Sequence, residues 1–152
     1  MLALDVVLWL FSLPVMLRIH TIPTLLKNLV GKEPHKKPRT ELGQLVDVVT
    51  HVCNLKFFRL PIFPKQCLRQ SLTLYRTLIQ RGYPVQIHFG VRMDDKNLVG
   101  HSWVTLQGVV VADTARGGIF QSIYSYPASP TTFDQVRSHR EVEESESMLN
   151  EA

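Results

Sequence analysis

Of the two cysteines in the chain, Cys53 and Cys67, the second is set where a thiol can become a nucleophile. Pro61 and Pro64 break the chain just before an amphipathic segment, so the pattern predicts a helix over 65–81 with Cys67 in its first turn. A helix N-terminus favours negative charge through its unpaired amides and its dipole. A thiol there can fall from a pKa of about 8.5 into the range of roughly 3.5 to 7.5. Cys53 instead lies on an apolar stripe with Leu42, Leu45, Val46, Val49 and Val52, and reads as a small buried hydrophobe.

A thiolate nucleophile needs a base, and the base must come from elsewhere in the chain. Of the six histidines, only His88 and His101 fall on predicted strands, and His101 opens a strand that continues through Trp103. His88 reads as a hydrogen-bonded structural residue. His101 in turn needs a carboxylate to fix its tautomer and ring angle, and Asp113 ends the next strand. Register makes this a sharp test. A regular hairpin with Gln107-Gly108 as its two-residue loop would throw Asp113 onto the wrong face, because strand side chains alternate. The triad therefore predicts an odd loop or a β-bulge, with Gly108 free to adopt a left-handed conformation.

The elements that must carry these residues are helices first and strands afterwards. An apolar stretch over 2–19 and a short segment over 24–30 read as a helix pair. A further helix over 40–57 precedes the one that carries Cys67. From Val85 the period changes to two, with strands over 85–91, 98–106 and 109–113, and turns at 94–97 and 107–108. Helices followed by an antiparallel meander define the α+β class. We divide the chain into amino-terminal helices with a basic linker over 1–38, a catalytic core over 39–133 and an acidic tail without fixed structure over 134–152.

The net charge of +4 hides an asymmetry: six acidic residues against two basic ones from Asp134 onward leave the first 133 residues at +8. No zinc finger, RNA-recognition signature or aromatic-interleaved basic stripe accompanies that charge, so no nucleic-acid partner is expected. Two cysteines in a chain of this size imply a reducing compartment, and the expected location is cytoplasmic. The stretch over 2–19 has no basic start and contains Asp5, Pro14 and Arg18, so it is expected to pack on the domain and to touch a membrane surface at most.

The runs Cys67-Leu68-Arg69-Gln70-Ser71-Leu72, Gly90-Val91-Arg92 and Gly100-His101-Ser102-Trp103-Val104, with Gly82 between them, resemble the B2 proteins of lasso-peptide biosynthesis. Those leader peptidases have a trimmed transglutaminase-like, papain-related fold. The resemblance is strong over 40–113, and it departs at Gln70 and Ser102, where arginine and alanine are more frequent. It implies a cysteine peptidase that removes the leader from a ribosomally made precursor peptide and needs no cofactor. Cys67 would attack, His101 would move the proton, and Asp113 would orient His101. The Cys67 amide would hold the oxyanion, with Gln66 as a further donor, and Arg69, Gln70 and Trp103 would contact substrate. It also implies a separate leader-binding protein and a lasso cyclase as partners.

Three rival readings use the same residues. A transglutaminase would pass the acyl group to a lysine amine instead of water. A metal site of Cys67, His101 and Asp113, with His88, lacks the close ligand pairs of zinc sites. A non-catalytic scaffold would keep the fold and hold a peptide without cutting it.

Overall fold

The computed structural model describes residues 2–29, 41–112 and 119–127. The linker expected over 32–39, the tail from Asp134 and the acid Asp113 lie outside the described residues. Four helices come first: α1 (Leu2–Ile19), α2 (Ile22–Leu29), α3 (Leu42–Cys53) and α4 (Gln66–Gln80), with a 3-10 turn at Lys56–Arg59 between the last two. Strands β1 (Val85–Asp94), β2 (Asn97–Leu106), β3 (Val109–Ala112) and β4 (Gln121–Tyr126) form one antiparallel sheet in the order β3-β2-β1-β4. This is the α+β architecture expected from the change of period at Val85.

One face of the sheet and the helices share a single core. Val85 and Ile87 of β1 and Val104 of β2 point toward Leu72, Tyr75 and Leu78 of α4. Leu45 and Val49 of α3 close one side, and Val6, Leu10 and Leu13 of α1 close another. The first helices therefore belong to the same hydrophobic body as the strands. An ion pair between Asp5 and Arg76 at 3.0 Å and the stacking of that guanidinium over Trp9 fix α1 against α4.

Besides small shifts of bounds, such as β1 running to Asp94 where 91 was expected and α2 starting at Ile22 where 24 was expected, two larger differences from the periodicity reading stand out. The third helix stops at Cys53, four residues before the expected end, because Phe57, Phe58 and Phe63 turn to meet Phe11 of α1, with ring centroids 5.0 to 6.1 Å apart. These mostly edge-to-face ring contacts and the burial of Phe58 outweigh the continuation of the helix. The fourth strand was not anticipated. Its Gln-Ser-Ile-Tyr-Ser-Tyr sequence alternates weakly, and its place is set by pairing with β1.

The β2–β3 hairpin decides the register question. Gln107 (φ 51°) and Gly108 (φ 82°) form a two-residue loop with both residues left-handed, the pattern of a type I′ turn. Beyond it the ladder slips: Thr105 pairs with Val110, but Val104 pairs with Ala112, so Val111 is an extra residue. The bulge that the triad requires is present, and it exchanges the faces of β3 by its last described residue.

Candidate active site

The break at Pro61 and Pro64 puts the start of α4 at Gln66, and Cys67 is its second residue. The N-cap residue Lys65 makes no side-chain cap hydrogen bond, and the first amides of an α-helix have no intrahelical acceptor. Cys67 is half-buried with a free thiol, whereas Cys53 is fully buried. Burial pushes the Cys53 thiol up to about 11, which removes it as a nucleophile near neutral pH.

Cys67 and His101 line one cavity of about 310 Å³, together with Lys65, Leu68, Phe89, Gly90, Gly100 and Ser102, and with Ile22 and Ile123 at its sides. A larger cavity of about 440 Å³ lies between α3 and the β2–β3 hairpin, but among the described residues Asp47 is its only ionisable lining residue. Chemistry, not size, therefore marks the smaller one. The Ser71 and Ser102 hydroxyls lie 2.8 Å apart in a buried hydrogen bond. Ser71 is one helical turn beyond Cys67 and Ser102 follows His101, so this bond fixes the thiol's helix to the histidine's strand. In the sequence Ser102 stands out only as a departure from the B2 pattern. Its partner could not be read without the fold.

Along β2, Ser102 and Val104 face α4, while His101, Trp103 and Thr105 occupy the other face. On that second face, His101 is 9% exposed and lies against Trp103 (centroids 5.9 Å, planes at 15°) and Phe120 (4.8 Å). Trp103 in turn stacks on His88 at 5.4 Å and 13°. His88 is the structural residue expected: its Nδ1 is 2.7 Å from Ser125 Oγ on β4 and its Nε2 is 2.8 Å from Thr105 Oγ1 on β2. Burial holds its pKa below the usual histidine value. The common cavity is what unites thiol and imidazole; a direct hydrogen bond between them is what the reaction would add, since such contacts commonly tighten only on substrate binding.

The remaining candidates fall in different places. Trp103, expected to contact substrate, is half-buried and stacks against His101. Arg69 is 3% exposed and donates to the carbonyls of Phe58, Pro64 and Cys53, so it braces the approach to α4. A substrate contact through the terminal guanidinium nitrogens would compete with these three carbonyls, two of them in buried hydrogen bonds. Gln70 is 4% exposed and its amide donates to Thr50 Oγ1 at 3.3 Å, which also turns it inward. The Gln66 amide donates to Asn54 Oδ1 at 2.6 Å, so the group proposed for an oxyanion is engaged at the end of α3. No group of three or more metal-ligating side chains occurs among the described residues.

A helix-borne cysteine beside a strand-borne histidine, in an order of helices then antiparallel strands, suits acyl transfer through a thioester. Comparison with known proteins agrees at the level of the fold. The family model of the Transglutaminase-like superfamily matches residues 6–125, from within α1 into β4, and takes in Cys67, His101 and Asp113. No curated protein and no solved structure gives a significant match. With four-fifths of its length matched, and with its cysteine and histidine on one cavity, the chain belongs to the transglutaminase-like superfamily, which includes cysteine peptidases and acyltransferases.

Proposed function

We propose that the chain is a cysteine peptidase that removes the leader from a ribosomally made lasso-peptide precursor. The observation that carries the reading is the shared cavity of Cys67 and His101, open beside the uncapped start of α4. Cys67 Sγ attacks the carbonyl at the leader–core junction while His101 takes the thiol proton. His101 then returns that proton to the leaving amine, and the C–N bond breaks to give a thioester. Water attacks the thioester, His101 again receives the proton, and the Cys67 thiol is regenerated with a free carboxylate. The amides of the first turn of α4, that of Cys67 among them, are the donors suited to the oxyanion.

Asp113 is the orienting acid of this proposal, and what supports it is the bulge at Val104–Ala112, which gives β3 the parity the role needs. A separate leader-binding protein presents the precursor, a lasso cyclase consumes the product, and both meet the peptidase in the cytoplasm. The motif around Cys67 and His101 supports these assignments through its likeness to lasso leader peptidases.

Mass spectrometry of a precursor incubated with the chain and its leader binder tests the proposal. Hydrolysis yields two shorter peptides whose masses together exceed the precursor by one water. Cys67→Ala should lower the rate by at least about a thousandfold with unchanged circular dichroism. Retained cleavage in Cys67→Ala would refute the nucleophile assignment. Crosslinked products formed with loss of ammonia would instead assign the chain to amine acyl transfer.

A further inference from the structure

Helix α1 is apolar on all sides, yet the core takes only one of them. Val6, Trp9, Leu10 and Leu13 are buried, whereas Leu4, Leu8, Phe11, Val15 and Ile19 are between 50% and 70% exposed. Spacings of four, three, four and four residues put these five in one stripe along the outer face of the helix. Phe11 continues the stripe sideways onto Phe57, 5.5 Å away and itself half-exposed. A contiguous exposed apolar surface of this kind marks a contact with another body.

Charge identifies that body. Lys56 and Arg59, which flank the phenylalanines, are exposed, as are Lys65 ahead of α4 and Arg18 in the last turn of α1. From Val48 to Met93 the chain contains no aspartate or glutamate, and the one acid of α1, Asp5, is paired with Arg76. Among the described residues, the Phe57 turn and the last turn of α1 thus set exposed cations beside the stripe while the segment from Val48 to Met93 adds no acid, the combination that suits an anionic lipid surface.

We infer that the outer face of α1, with the Phe57 turn, docks on an anionic phospholipid membrane, the helix lying in the interface plane. By length and composition α1 could also cross a bilayer. Its inner face, however, is held in the core and by the Asp5–Arg76 pair, so crossing would require the domain to come apart. The inference is independent of the peptidase reading, because nothing in it involves Cys67 or His101.

Co-sedimentation of the full chain, without substrate, tests it directly. Vesicles of phosphatidylcholine mixed with phosphatidylglycerol should bind the protein, vesicles of phosphatidylcholine alone should bind it far less, and added salt should weaken the binding. The double variants Leu4→Glu/Leu8→Glu and Lys56→Glu/Arg59→Glu should each reduce binding by about tenfold or more. All four side chains are exposed, and circular dichroism checks that each variant is folded; should the leucine pair unfold, the charge-reversed pair carries the test alone. Failure to bind the anionic vesicles would overturn the inference, as would binding that ignores both lipid charge and charge reversal. A lipid-free dimer that Leu4→Glu/Leu8→Glu dissociates would overturn it too, by assigning the stripe to a second copy.

Discussion

Gly90 shows how far the site depends on single atoms. A Cβ at this position would lie 2.8 Å from Trp103 Cη2, 2.9 Å from Trp103 Cζ3 and 2.7 Å from the Gln121 carbonyl oxygen. The carbonyl belongs to the paired strand β4, and the indole is held between the rings of His88 and His101, so neither can give way cheaply. Gly90→Ala is therefore expected to cost about 1–3 kcal/mol of stability through overpacking. Because the relief must come from the ring beneath His101, cleavage should fall by more than the folded fraction does. Denaturant midpoints and the rate per folded molecule, measured together, separate the two effects; wild-type values for both would remove Trp103 as the platform. At this scale the sequence was most legible where chemistry is local. The positions of Cys67, after two prolines, and of Cys53, on an apolar stripe, followed from nearest neighbours alone. The inward turn of Arg69 and Gln70 depends on carbonyl and hydroxyl partners eleven to twenty residues away, which no local pattern encodes.

Among the elements, the sheet is held on its second face by a polar strap. The His88 ring on β1 joins Ser125 of β4 to Thr105 of β2, crossing three strands in a half-buried position. Its pKa lies below the usual 6.5 because burial disfavours the imidazolium. The unfolded chain therefore takes up this proton at a higher pH than the folded one. The stability it contributes is complete above about pH 6.5 and is lost as pH falls through the lower, folded value. His88→Gln keeps a donor and an acceptor but has no proton to gain. Between pH 7 and pH 5, wild-type stability should fall more steeply than that of the variant, by at most about 1.4 kcal/mol per pH unit for a single proton. Urea titrations across that interval provide the check, and parallel slopes would exclude His88 as the titrating group. The strap also explains which parts of the sheet were foreseen. The first three strands have strong alternation and turn residues between them, while β4 is specified by its partners Ile87, His88 and Phe89 more than by its own residues.

At the scale of the whole molecule, the first helix, expected to pack on the domain, contributes to its core. The change of period at Val85 made the α+β class legible, but periodicity says nothing about which helices share one interior. Val6, Trp9, Leu10 and Leu13 pack in the same cluster as Leu45, Val49, Leu72 and Leu78, and Arg76 of α4 holds both Asp5 and Trp9. The superfamily match, which begins at residue 6, places α1 within the family's domain as well. Burying those four side chains contributes about 1.5–3 kcal/mol apiece, on the order of 10 kcal/mol together. The net stability of a domain is only about 5–15 kcal/mol. A fragment starting at residue 39 keeps Cys67 and His101, yet it would expose the α1-facing sides of α3 and α4 and leave Arg76 without its carboxylate. It should therefore lack a cooperative thermal transition and bind hydrophobic dyes such as ANS, in contrast to the full chain. A fragment that melts cooperatively and still cleaves would show instead that α1 is an appendage, and that the interior around Cys67 and His101 is complete without it.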